Sequence, residues 1–445
     1  MTSSAKPSGL AGLVVTSLAV AALIGFSGDT PAATTTTLRA SLRAGSVEAN
    51  IASVVAKHPG LASVYRERSY RPMWTAGAPE RIIQTLAAAG ADGLDPASYG
   101  IDRLRTLPTD PVSAAERDVA LAQAFADYVR DLRTPSPGSR MTYVDAALAP
   151  ETRPAAVLAA AAAAPSLSAH LERVQRMHPL YEGLRAALAA YRTLGANPST
   201  LAGTSYERLL LANMDRLRAL PADPGRRYAL VDTASARLWM YEDGEPRDMM
   251  RVIVGKQRLP TPQLAGLIRF AVRNPYWNLP PDLVRARAAE VVRNGPGIIE
   301  RERLELLTDW SPTARILDPL EIDWAAVAQG RQKLRMRQLP GPDNMMGQVK
   351  FMLPNRLGIY LHDTPDKAAF TRDDRRLSSG CVRLEDAARF GEWLFGRSLF
   401  AGWAGTEERV DLHQAVPVYI VYLTAIPHQA GVVVQPDRYG RDKGK

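Results

Sequence analysis

The apolar residues of this chain change period near residue 221, and that change limits its possible folds more than any other feature. Before it they recur at helical spacing. Ile82, Ile83, Leu86 and Ala87 share one face, as do Leu121, Phe125, Tyr128 and Leu132, and Tyr181, Leu184, Leu188 and Tyr191. The alanine run 159–164 is a strong helix former and stops at Pro165. Ser113 with Glu116 reads as a capping box. A turn-rich linker, 221–226, follows. Short β-type runs then take over at 228–232, 237–241, 251–254, 267–272, 349–352, 358–361 and 416–423, with a hairpin turn at 242–245. The expectation is an α+β chain: a helical N-terminal domain at 51–220, a mostly β domain at 226–427, and a C-terminal tail at 428–445. One segment interrupts the β pattern. Residues 281–343 carry helical stretches, turns, Trp310 and Trp324, between Pro280-Pro281 and Pro340-Gly-Pro342. An insertion this long in a compact sheet domain is expected to be a helical lid, with a purely structural subdomain as the alternative.

The N-terminus carries an address. Lys6 precedes an apolar run from Leu10 to Phe26, and Pro31, Ala32 and Ala33 follow. This is the pattern of an export signal, residues 1–33, cleaved near Ala32–Ala33 or retained as an anchor that holds the chain at the membrane. The Thr-, Ala- and Ser-rich stretch 34–50 reads as a tether. No cysteine near the run could take a lipid, and no other stretch could span a bilayer. The net charge of +9 favours an anionic partner, but the charges are scattered. No nucleic-acid partner is expected. Cys381 is the only cysteine, so an internal disulfide is excluded. His58, His170 and His178 lack metal-ligand spacing.

The informative stretch is IYLHDTPDKAAFTRDDRRLSSGCVRLE, residues 359–385. A thiol is a good acyl acceptor only as thiolate, and a free thiol has a pKa near ~8.5. A neighbouring imidazole can take that proton. His362 is the histidine nearest Cys381 in sequence, and it ends a β run, which is a rigid mount for a base. Gly380 leaves the approach to the thiol open, and its peptide with the Cys381 N–H could form an oxyanion hole. Such donors are worth roughly 3–4 kcal/mol each. Arg383 points to the same side as Cys381 if the chain is extended, and could hold a carboxylate bidentately. On these residues alone, a structural cysteine and a turn histidine remain an open alternative.

His362 followed by Ser379, Gly380, Cys381 and Arg383, with 381 − 362 = 19, resembles the signature of L,D-transpeptidases with a YkuD-type catalytic domain. The commoner form has a histidine just before the Gly-Cys pair. Ser379 stands there in this chain, as in the large periplasmic members. VIVGKQRLPTP, NPYWNLPP and PGPDNMMGQVKFMLPN resemble their catalytic domain, and the stretches 65–74 and 91–99 resemble their helical scaffold. The resemblance covers most of residues 60–440. The chain departs at Gly195–Thr204, a break too short for the peptidoglycan-binding module that such members carry.

The resemblance implies a periplasmic enzyme that acts on peptidoglycan stem peptides and works beside other wall-synthesis proteins. Cys381 would attack the carbonyl between meso-diaminopimelate and D-alanine, and a second diaminopimelate amine would resolve the thioester into a 3–3 crosslink. His362 would be the base, oriented by Asp363 through its backbone carbonyl. Arg383, Ser379, Tyr360, Trp277 and Arg375 are candidates for the substrate pocket or its support. No metal or cofactor is implied. Members are typically acylated by carbapenems. Water or a lipoprotein lysine could resolve the same thioester, giving a carboxypeptidase, an endopeptidase or a protein-to-wall ligase. A non-enzymatic wall-binding scaffold is the remaining alternative.

Overall fold

The computed structural model describes residues 45–194, 201–311, 313–401, 405–429 and 431–442. The expected export signal, 1–33, and most of the expected tether lie outside these residues. Among the described residues no helix is long and apolar enough to cross a membrane.

The N-terminal part is helical, as its apolar spacing predicts. Its helices include α1 (Val47–Val55), α2 (Ala78–Ala87), α3 (Pro111–Arg133), α4 (Pro154–Ala163), α5 (Pro179–Thr193) and α6 (Leu201–Leu217). The tether reading ends too late: Ser46 accepts from Ala49 N at 3.2 Å and starts α1 at Val47. The start of α3 also differs from the sequence reading. Its capping box is Asp110 with Ser113, and Pro111 occupies the first turn. Proline gives up no needed N–H there and its φ already suits a helix, so the helix begins before Ser113. Leu121, Phe125, Tyr128 and Leu132 of α3 are buried against Ile82, Leu86, Tyr181 and Leu188.

The second part is built on a ten-stranded sheet. The strands are β1 (Thr142–Tyr143), β2 (Arg227–Asp232), β3 (Arg237–Glu242), β4 (Glu245–Gly255), β5 (Leu264–Arg273), β9 (Val349–Met352), β10 (Leu361–His362), β11 (Arg376–Ser378), β12 (Val382–Leu384) and β13 (Glu408–Val421). The order is β1-β5-β13-β2-β3-β4-β12-β10-β9, with β11 beside β4. β5 also pairs with β9, which closes the path on itself. One face packs a core of Val231, Leu238, Val252, Phe351, Leu361, Val382 and Ile420, together with Phe390 and Leu394 of helix α9 (Ala387–Phe395). The other face of β2 and β13 supplies Tyr228, Leu230, Tyr419 and Val421 to the helical core. The chain therefore changes period at 221, but the apolar core does not end there. β1, from the helical half, even lies at the edge of the sheet.

Two expectations need correction. The insertion is not wholly helical. It holds α7 (Pro281–Asn294) and α8 (Trp324–Ala328), but also β7 (Leu304–Leu307) and β8 (Arg335–Gln338), which form an antiparallel sheet with β6 (Trp277–Asn278) just before the insertion. Burial alternates along β8, the period-2 signature of a strand. The insertion has its own core of Val284, Ala288, Leu306, Val327 and Met336. The expected C-terminal tail is likewise built in. β14 (Ala425–His428) and β15 (Gly431–Val434) form a hairpin, and Tyr439 is buried against Tyr422. Fully buried Arg216 of α6 reaches Asp442 at 2.7 Å and the Thr424 hydroxyl at 3.1 Å. A buried guanidinium left unpaired is costly, so these partners fasten the C-terminus to the helical part.

Candidate active site

Parallel β10 and β12 lie side by side, with Leu361 opposite Val382 and His362 opposite Arg383. Leu361 and Val382 face the core. Strand alternation therefore sends Tyr360, His362, Cys381 and Arg383 to the opposite face together. On the other side of β10, antiparallel β9 places Lys350 opposite His362. Its neighbours Val349 and Phe351 point into the core, so Lys350 joins the same outward row. Lys350, His362 and Arg383 thus sit abreast on three adjacent strands, with Cys381 one pleat from Arg383.

The turn carrying Cys381 is held by side chains the sequence reading did not single out. The Ser378 hydroxyl donates to Cys381 O at 2.6 Å and accepts from Gly380 N at 3.1 Å. The Thr261 hydroxyl donates to Gly380 O at 2.8 Å and accepts from Gly255 N at 2.9 Å. Gly380 has φ +122, a conformation that side chains disfavour, and an added Cβ would crowd Ile359 at 3.2 Å. The expected role of Gly380 in an oxyanion hole is corrected by these bonds. Its own N–H is spent on Ser378, while the Cys381 N–H has no hydrogen-bond partner among the described residues. Ser379, singled out from the motif, is exposed, whereas the buried hydroxyl that shapes the turn belongs to Ser378.

His362 is buried, and its Nδ1 lies 2.5 Å from Asp363 O. The Asp363 carboxylate looks elsewhere, accepting from Gln348 N at 2.9 Å and pairing with Lys367 at 2.6 Å. Gly347, at φ +59, leaves room for that carboxylate, which an added Cβ would meet at 2.3 Å. Burial, then the Arg383 charge, pushes the His362 imidazole down to about 3, against hydrogen bonds to the Asp363 and Met346 backbone; Lys350 pushes the same way as Arg383. The ring is therefore neutral. Burial raises the Cys381 thiol, while hydrogen bonds from Tyr360 and the charge of Arg383 lower it. The thiol also donates to Gly358 O at 3.4 Å. At rest the Cys381 thiol and the His362 imidazole are thus both neutral. The Tyr360 ring stands edge-on to His362 at 5.7 Å. Burial lowers the Arg383 guanidinium, with the Asp366 and Cys381 charges opposing, and its Nε is buried with no hydrogen-bond partner among the described residues. Burial also lowers the Lys350 ammonium, with Glu407 opposing.

Two other candidates lie apart from this row. Arg375 donates to Val252 O, Ser235 O, Ala236 O and Arg372 O at 2.9–3.2 Å. With its donors committed to backbone carbonyls it braces the loop before the cysteine and is not free for substrate. Trp277 packs on the core of the insertion. Two cavities also lie elsewhere. One of about 600 Å³ lies among the helices and includes Tyr99 and Arg103. The other, of about 420 Å³, lies beside Trp239 and Pro427.

The buried imidazoles make stability depend on pH. Burial pushes His178 down to about 4. Folded His178 and His362 therefore stay unprotonated at pH values where unfolded histidine, near 6.5, takes a proton. Stability is fully present above pH 6.5 and falls below it, by about 1.4 kcal/mol per pH unit for each histidine. Buried Asp118 and Asp232, both raised mainly by burial, oppose this trend. The His178 share is isolated by His178→Gln, which should reduce the loss of urea stability between pH 6.5 and 5 by about 2 kcal/mol. Equal losses in the two proteins would show that His178 does not resist protonation.

Two family models match the chain. One, described as the L,D-transpeptidase catalytic domain (YkuD), covers residues 226–409, and the other, a Scaffold domain, covers residues 59–188. A protein of Haemophilus influenzae, provisionally named an L,D-transpeptidase, is 29% identical over 403 residues, covering 86% of this chain and 78% of its own length. Among solved structures, an L,D-transpeptidase from Mycobacterium smegmatis is similar at a TM-score of 0.22 and 13% identity, over 44% of this chain and 58% of its own. One from Enterococcus faecium gives a TM-score of 0.22 and 13% identity, over 45% and 52%. This chain spans little more than half the length of those two, and a likeness so distant carries no argument. The two domain matches lie in the order of the helical and β parts, and the Cys381 row falls within the second: this chain carries a YkuD-type L,D-transpeptidase catalytic domain behind a Scaffold domain.

Proposed function

We propose that this protein forms 3–3 crosslinks in peptidoglycan through a thioester on Cys381, in the periplasm, where the 1–33 signal would deliver it. The observation that supports this most is the shared face of β10 and β12. It puts a thiol, a neutral imidazole, the Cys381 N–H and a guanidinium whose Nε has no hydrogen-bond partner among the described residues on one face. In the first half-reaction His362 takes the thiol proton as sulfur bonds to the diaminopimelate carbonyl carbon. The Cys381 N–H stabilises the oxyanion. The bond to the D-alanine nitrogen then breaks, and the imidazolium returns its proton to that leaving amine. In the second half-reaction the side-chain amine of another diaminopimelate attacks the thioester and gives a proton to His362. The new amide forms, the carbon–sulfur bond breaks, and the thiolate recovers the proton. Arg383 holds a donor carboxylate.

The test is incubation of the purified chain with disaccharide tetrapeptide, followed by mass spectrometry. Released D-alanine together with a diaminopimelate-to-diaminopimelate dimer is expected. D-alanine without dimer would replace transfer by hydrolysis, and neither product would overturn the reading.

A further inference from the structure

His362 is flanked by a cation on each side: Lys350 on β9 and Arg383 on β12. Adjacent strands lie about 4.8 Å apart, so the two backbones stand roughly 10 Å apart with the imidazole between them. Neither cation is neutralised by direct contact. The Lys350 ammonium makes no hydrogen bond or salt bridge among the described residues and feels the charge of Glu407 without an ion pair. Arg383 feels Asp366 in the same way, and its Nε is a buried donor without an acceptor. Two half-buried cations this close repel each other, and a buried donor without a partner is unfavourable. Both conditions are relieved by two anions placed on either side of the imidazole.

The donor stem carries two such anions around the bond to be cut. The D-alanine carboxylate sits on the carbon that bears the leaving amine. The distal carboxylate of diaminopimelate lies at the far end of its side chain. Arg383 lies two residues from Cys381, which immediately precedes β12, so it is the nearer cation. Lys350 is two strands away and is the farther one. We propose that the two residues form a carboxylate clamp across His362, in which Arg383 takes the D-alanine carboxylate and Lys350 takes the distal diaminopimelate carboxylate. This rests on the thioester reading of Cys381 and adds a specificity to it: the donor is recognised by its pair of negative charges. Binding would also cancel both cations beside His362, so the base gains strength only when a complete donor is in place.

The test compares two tetrapeptide donors, one with the distal diaminopimelate carboxylate free and one with it amidated, on the full chain. The wild type should prefer the free acid by about 10- to 100-fold in kcat/KM. In Lys350→Met that preference should collapse to within about threefold, while Lys350→Arg should keep most of it. A Lys350→Met chain that retains the wild-type preference, even at a lower overall rate, would show a merely structural lysine and overturn the clamp. A wild type that discriminates poorly would overturn it as well, while leaving the crosslinking reading intact. A wild type that uses neither donor would refute that reading, and the clamp with it.

Discussion

A chain carrying Cys381→Ala is expected to take up no carbapenem and to release no D-alanine, a loss of at least about 10⁴-fold, the scale on which deleting a nucleophile acts. A carbapenem presents a strained acyl carbon beside a carboxylate and so imitates the donor. In the wild type one adduct per chain should appear, on the peptide containing Cys381. Labelling should be selective, because the chain holds no second thiol. The fold should survive the change. The thiol's hydrogen bond to Gly358 O is long at 3.4 Å, and the Ser378 and Thr261 bonds that shape the turn reach backbone atoms, which alanine retains. Intact-mass and peptide-mass measurements decide the matter. An adduct on the alanine variant, or one on Ser379 in the wild type, would remove Cys381 from the centre of the chemistry.

The second large effect is on His362. His362→Gln should slow carbapenem labelling by about 10²- to 10⁴-fold at neutral pH, the usual contribution of a positioned base. The pH profile carries more information than the loss. Because burial and the Arg383 charge hold the wild-type imidazole down at about 3, the base form persists far below the ordinary histidine range. Wild-type labelling should therefore show no step near pH 6.5 and stay level toward pH 5. The glutamine variant has no base, and burial raises its thiol. Its rate should climb about tenfold per pH unit through pH 9, as hydroxide supplies the thiolate. A wild-type profile that drops at 6.5 would mean that His362 titrates as an exposed imidazole does. Parallel profiles for the two proteins would remove it as the base.

The sequence by itself determined the α-to-β order of the chain, since apolar period is a local property that survives without knowledge of packing. It also determined the motif carrying Cys381, Gly380, Arg383 and His362. Spacing along an extended strand already implies that Cys381 and Arg383 share a side. Ser378, one residue from the chosen Ser379, was within reach of the same reasoning, but only burial separates the two. Other features were settled by tertiary structure. Lys350 enters the row because antiparallel β9 pairs with β10 at the register that sets it opposite His362. Thr261 reaches Gly380 across 119 residues of sequence. The insertion contributes β7 and β8 to a sheet with β6, and the three strands are short and far apart along the chain. Arg375, an apparent substrate ligand by its place near the motif, is consumed by four backbone carbonyls. The common reason is that strand register and buried hydrogen bonds are made between distant segments. Neither leaves a periodic trace in the segment that supplies the side chain, so each becomes visible only when the partner strand is in place.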